Sequence, residues 1–130
     1  MFRGKISSNH FVDTGIPVLH SSAAYVCSKY WEAGVRFIEE QKGLCSLPFV
    51  QNNDILINRV GRSAGYWCIY RGEDTIISDC LIVVRSEQTL NMIKIFKKHS
   101  NEGRLLHLVK GLTTKYISQK DFAAWLNSNI

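Results

Sequence analysis

Proline is scarce in this chain. Its two prolines, Pro17 and Pro48, are not adjacent, so the Asn/Asp-Pro-Pro-aromatic loop of an amino-methyltransferase active site is excluded. There is no Gly-x-Gly-x-x-Gly and no Gly-Lys-Ser/Thr, so the usual glycine-rich phosphate cradles are missing. No apolar run approaches the ~20 residues that a membrane span needs. The first residues, Met1-Phe2-Arg3-Gly4-Lys5, lack the apolar stretch of a signal peptide, and the expected location is cytoplasmic. Cys27, Cys45, Cys68 and Cys80 form no Cys-x-x-Cys pair; they read as reduced, structural thiols in or beside apolar stretches. His10, His20, His99 and His107 are scattered, so neither a metal nor a cofactor is expected. The nuclease pattern of a paired acid followed by Glu-x-Lys is not visible. Glu40-x-Lys42 is a three-residue match of a kind that arises by chance in many proteins.

What is present is a chain of 130 residues, the size of one domain spanning 1–130. Hydrophobic residues make up 45% and charged residues 21%, enough apolar surface for a core and too little charge for a disordered tail. Lys and Arg total 16 against 11 Asp and Glu, a net charge of +5. That surplus favours an acidic partner, nucleic acid first.

Pattern reading gives an α+β fold, a curved and mostly antiparallel sheet with C-terminal helices. Residues 1–15 are polar and turn-rich, and Ile16 to His20 is a short extended run. Ser21 to Tyr30 has no clear period. Tyr30 to Gln41 fits an amphipathic helix or, as favoured here, a strand over Val35 to Ile38. Asp54 to Val60 and Tyr66 to Tyr70 are strands joined by a turn at Gly61–Gly65. After a second turn at Arg71–Asp74 come strands at Thr75–Ile77 and Leu81–Arg85, and the regular spacing predicts a meander. Thr89 to His99 is a helix with Leu90, Ile93, Ile95 and Phe96 near one face. Asn101 to Val109 is expected to be a second short helix capped by Asn101, with Leu105, Leu106, Leu108 and Val109 inward. Leu112 to Ile117 is an extended connector. Ser118-x-x-Asp121 opens a final helix that buries Phe122, Trp125 and Leu126.

Two stretches have the chemistry for binding. In Asn58-Arg59-Val60-Gly61-Arg62-Ser63-Ala64-Gly65-Tyr66, a glycine-bounded turn carries two arginines and a serine. Such a turn can approach a DNA backbone, and Arg suits bidentate recognition of guanine O6 and N7. The competing reading is a solvated turn between strands. The second stretch, residues 85–120, holds eight Lys and Arg against Glu87 and Glu102, a concentrated charge of the kind an electrostatic footprint requires. Within it, Lys110-Gly111-Leu112-Thr113-Thr114-Lys115 sets two cations and two hydroxyls on one loop. Here the competing reading is solvated helix faces.

These residues resemble the target recognition domains of type I restriction–modification specificity subunits and related adenine-N6 DNA methyltransferases. The resemblance is carried by Asp54 to Gly65, by Ile76-Ile77-Ser78-Asp79-Cys80-Leu81-Ile82, by Thr89 to Gly111, and by Gly111 to Phe122. Gly15-Ile16-Pro17-Val18-Leu19 matches the family's first strand. The blocks run in the family's order over roughly residues 15–122. The resemblance implies a binding module without a catalytic centre, gripping double-stranded DNA through loops and conferring specificity on a methyltransferase subunit. Asn58, Arg59, Arg62, Ser63 and Tyr66 would read or brace bases. Lys110, Thr113, Thr114 and Lys115 would contact the backbone, and Lys94, Lys97, Lys98 and Arg104 would steer by charge. S-adenosylmethionine would belong to the partner. The chain departs from the family in having one recognition domain and no spacer helix, so a homodimer replacing the missing half is a further expectation. The alternatives are a protein-interaction module that imitates a specificity subunit and a small nuclease using Glu40.

Overall fold

The computed structural model describes the backbone of residues 1–27 and 30–130, and the side chains of 1–20 and 33–130. Among the described residues, nine strands and two α-helices run in the order β1 (Phe2–Arg3), β2 (Phe11–Val12), β3 (Ile16–Cys27), β4 (Tyr30–Ile38), β5 (Phe49–Val50), β6 (Ile55–Asn58), β7 (Trp67–Ile69), β8 (Thr75–Ile77), β9 (Leu81–Val84), α1 (Thr89–His99) and α2 (Gln119–Asn129). The fold is mixed α+β with a C-terminal helix, but the expected single meander is two sheets. One has the order β1-β9-β6-β7 and the other β2-β4-β3-β8-β5. The first is antiparallel throughout. The second contains one parallel pair, β3 with β8, in the register Val18↔Ile76 and Leu19↔Ile77.

Every residue of β6 and β9 is buried, because their sheet is covered on both faces. The two-residue side-chain alternation of a strand divides the load. Ile55, Ile57, Ile82 and Val84 point to a core shared with Met92 and Phe96 of α1 and Phe122 and Leu126 of α2. Leu56, Leu81 and Val83 point the other way, to Leu19, Val50 and Ile77 of the second sheet. The layers are therefore helices, first sheet, second sheet. The chain crosses between sheets at Ser78–Cys80. There the Ser78 amide donates to Leu19 O at 2.9 Å, and the Ser78 hydroxyl meets His20 Nδ1 at 2.7 Å. This polar step, read from sequence as an interruption between two strands of one sheet, is the point of transfer.

The turn of the β6–β7 hairpin, helix α1 and the Ser118 cap lie where the pattern put them, and the strand favoured over Val35–Ile38 is the second half of a longer one that begins at Tyr30. The Ser118 hydroxyl accepts from the Asp121 amide at 3.2 Å, satisfying one of the orphan donors at a helix start. The proposed helix over Asn101–Val109 is absent. Asn101 and Arg104 exchange backbone hydrogen bonds at 2.8 and 3.1 Å, with Glu102 at φ 52° and Gly103 at φ 81°. Two consecutive left-handed residues close a tight turn that no right-handed helix can contain. Only Leu106–Leu108 coils, as a single 3-10 turn. Leu105 and Leu108 do pack inward, whereas Leu106 is 49% exposed. On α1 the buried residues are Met92 and Phe96, one turn apart, and Leu90, expected on that face, is 76% exposed.

Phe96 is edge-on to Trp67 at 5.3 Å and to Trp125 at 5.4 Å, so an aromatic cluster fastens both helices to β7. Cys45 is exposed, while Cys68 and Cys80 are half-buried; the Cys27 side chain lies outside the described residues. Among the described residues no helix is long and apolar enough to cross a membrane.

Candidate functional site

The two stretches with binding chemistry meet at one end of the first sheet. β6 leaves the sheet there into the Gly61–Gly65 turn, whose neck is closed by Asn58 N–H to Tyr66 O at 2.9 Å and Gly65 N–H to Asn58 O at 2.8 Å. The Lys110–Tyr116 loop is closed at its own neck by paired backbone bonds of 2.8 and 3.0 Å. It is then sewn to the turn: Gly61 N–H donates to Lys115 O at 2.9 Å, and Ile117 N–H to Arg59 O at 2.7 Å. Buried backbone donors and acceptors must find partners, and here each segment supplies them for the other.

The side chains fall into three groups. Arg62, Thr113, Thr114 and Lys115 are exposed on the two joined loops, and Ser63 is half-buried beside Arg62. Lys115 donates to Gly111 O at 2.7 Å, a bond within its own loop. Lys110 pairs with Asp121 at the start of α2, and that hydrogen-bonded carboxylate raises the Lys110 pKa above its ordinary value. Lys110 thus brings less uncompensated charge to this face than Arg62 or Lys115.

Arg104 and Tyr66 form a brace. Arg104 Nε donates to Ala64 O at 2.7 Å and an Nη to Arg62 O at 3.1 Å. Its guanidinium lies over the Tyr66 ring, 5.1 Å from the centroid. Expected as a steering charge, Arg104 also holds the turn, and its carbonyl partners leave that charge in place. Asn58 is 1% exposed and its amide has no partner among the described residues; as the chain is folded, that amide is not presented to solvent.

The α1 lysines stand apart from the turn. Lys94, Lys97 and Lys98 are exposed. Lys97 lines a cleft of about 540 Å³ beside β7, together with Trp67, Ile69, Arg71 and Glu102. Glu40 and Lys42 are exposed in the segment after β4.

Sequence reasoning passed over Arg3 and Lys5. β1 pairs with β9 on the side away from β6, which brings Arg3 to the same sheet end as Arg59. Arg3 Nε donates to Asp79 O at 2.9 Å and Arg59 Nε to the same oxygen at 3.3 Å. Burial, and then the charge of Arg3, lower the Arg59 pKa from its ordinary value. The available signal was a pair of cations, Arg3 and Lys5, in an otherwise polar N-terminus, but nothing local indicates which strand they join. Compared with known proteins, the chain matches no protein-family model and no curated protein.

Proposed function

We propose that this chain is a double-stranded DNA-binding module of the target-recognition type, conferring sequence specificity on a restriction–modification methyltransferase complex. The reading rests on the resemblance of its sequence blocks and is supported by one structural observation: the arginine turn and the lysine–threonine loop, far apart in sequence, are hydrogen-bonded into a single surface. Arg62, with Ser63 beside it, is the candidate for base readout, since a guanidinium offers two parallel donors to guanine. Thr113, Thr114 and Lys115 are candidates for phosphate contact. Arg59 stands at the foot of the turn, with its Nε bonded to Asp79 O. Arg104, Tyr66 and Asn58 hold the turn rather than touch DNA. Catalysis and S-adenosylmethionine belong to the partner subunit, and a target-recognition-like fold and a homodimer are part of the same proposal.

The test is selection from a randomised duplex pool, read by sequencing, across a salt series. A short enriched motif, with affinity falling steeply as salt rises, is the expected result. Arg62→Ala should relax discrimination at one position by about 1–3 kcal/mol. Lys115→Ala should weaken all sequences alike and reduce the salt slope by about 1. Absence of binding at low salt refutes a stand-alone reader.

A further inference from the structure

We infer that Arg3 and Arg59 form a two-guanidinium site for a phosphate oxyanion, at the sheet end that carries the joined loops. The two residues come from strands on opposite sides of β9, which lies between β1 and β6. Both turn their Nε groups onto one acceptor, the carbonyl oxygen of Asp79, at 2.9 and 3.3 Å. A carbonyl has two lone pairs and no net charge, so it can orient two guanidinium groups without neutralising either. Among the described residues the ion pairs are Arg85–Asp54 and Lys110–Asp121; neither Arg3 nor Arg59 is in one. The Asp79 carboxylate is turned to the Cys80 thiol, 3.6 Å away.

Two cations are thus pinned by one atom, half-buried, with repulsion between them and, among the described residues, no further hydrogen bond from either guanidinium. A tetrahedral oxyanion resolves this frustration, because it accepts from both forks at once and cancels the charge. The repulsion is felt: after burial, Arg3 has the largest effect in lowering the Arg59 pKa, against smaller opposing effects of Cys80 and the Asp79 carboxylate. Lys5, exposed two residues beyond Arg3, adds attraction for the same anion.

The anion's chemistry is that of a phosphate group, and it has two sources, the DNA backbone or free phosphate. Assignment to DNA rests on the function proposed above; the site itself does not. On DNA, it would place a phosphate beside the Arg62 turn and set the register in which that turn meets the bases.

The experiment follows the Nε–Hε resonances of Arg3 and Arg59 in the full chain during two titrations, one with inorganic pyrophosphate and one with a duplex carrying the selected motif. Expected is joint movement of both resonances in both titrations. Arg3→Ala should lower the slope of log affinity against log salt by up to about 1, whereas Arg3→Lys, which keeps the charge but loses the fork, should weaken affinity with the slope near wild type. Arg71→Ala, outside this sheet end, serves as the control and should leave the slope unchanged. Joint movement with pyrophosphate alone keeps the site, assigns it to free phosphate and refutes its assignment to the DNA backbone. Joint movement with DNA alone assigns it to the backbone phosphodiester. Binding of DNA with neither resonance moving in either titration, or with Arg59 moving alone in both, overturns the paired site and leaves the DNA reading standing. Immobility of both in both titrations overturns the site. Melting curves of the variants separate loss of binding from loss of fold.

Discussion

Replacing Arg104 separates bracing from steering. The guanidinium donates to Ala64 O and Arg62 O and lies over Tyr66. Hydrogen bonds from a charged donor contribute about 1.5–3 kcal/mol when buried. Here the bond to Arg62 O is exposed, so the lower end of that range applies to the pair together, and the ring contact adds about 0.5–1 kcal/mol. Arg104→Met keeps most of the stem's packing and should cost about 2 kcal/mol, a fall in melting temperature of roughly 6–10 °C for a domain of this size. Arg104→Lys keeps the charge but loses the planar fork and reaches at most one carbonyl, so about half the loss should remain. The assay is urea unfolding of wild type and both variants, with amide exchange at Ala64 and Tyr66, whose N–H groups close the turn onto Gly61 O and Ser63 O. Faster exchange at those amides in both variants is expected. If Arg104→Lys matches wild type in midpoint and in exchange, Arg104 is only a charge and the bracing argument fails.

Three further outcomes follow from the same geometry. In Gly111→Ala, the new Cβ would sit 2.0 Å from Thr114 O at a backbone φ of +99°, so the loop neck must open; exchange at the Lys110 amide should rise and affinity for all duplexes should fall together. Asp54 is 4% exposed and accepts two Arg85 donors and the Gln51 amide. Asp54→Asn should cost about 2 kcal/mol by urea unfolding, less than a fully buried pair because Arg85 is partly solvated. His20 is 5% exposed, and burial first, then Arg36, lower its pKa from the ordinary 6.5. The unfolded chain therefore takes up this proton first, so stability should be fully present above pH 6.5 and fall as the pH drops towards the folded-state pKa. A His20→Gln variant with the same acid limb as wild type would refute this assignment.

Local chemistry determined much of this protein from sequence alone. Helix α1, the Ser118 cap, the β6–β7 hairpin and the two loops with cationic side chains are properties of short segments, decided by periodicity, turn residues and capping within a few positions. Tertiary structure decided the rest. β8 leaves the meander because the polar Ser78 finds its partners on β3, among them the His20 ring, residues distant in sequence. The Asn101–Val109 segment has leucines at helical spacing, but a turn at Glu102–Gly103 lets Arg104 reach Ala64 and Arg62. β1, β2 and β5 have two residues each, too few to show any period. The convergence of the arginine turn, the lysine–threonine loop and Arg3 at one sheet end depends on strand order, and strand order is set by which buried faces and backbone groups satisfy each other across the whole chain.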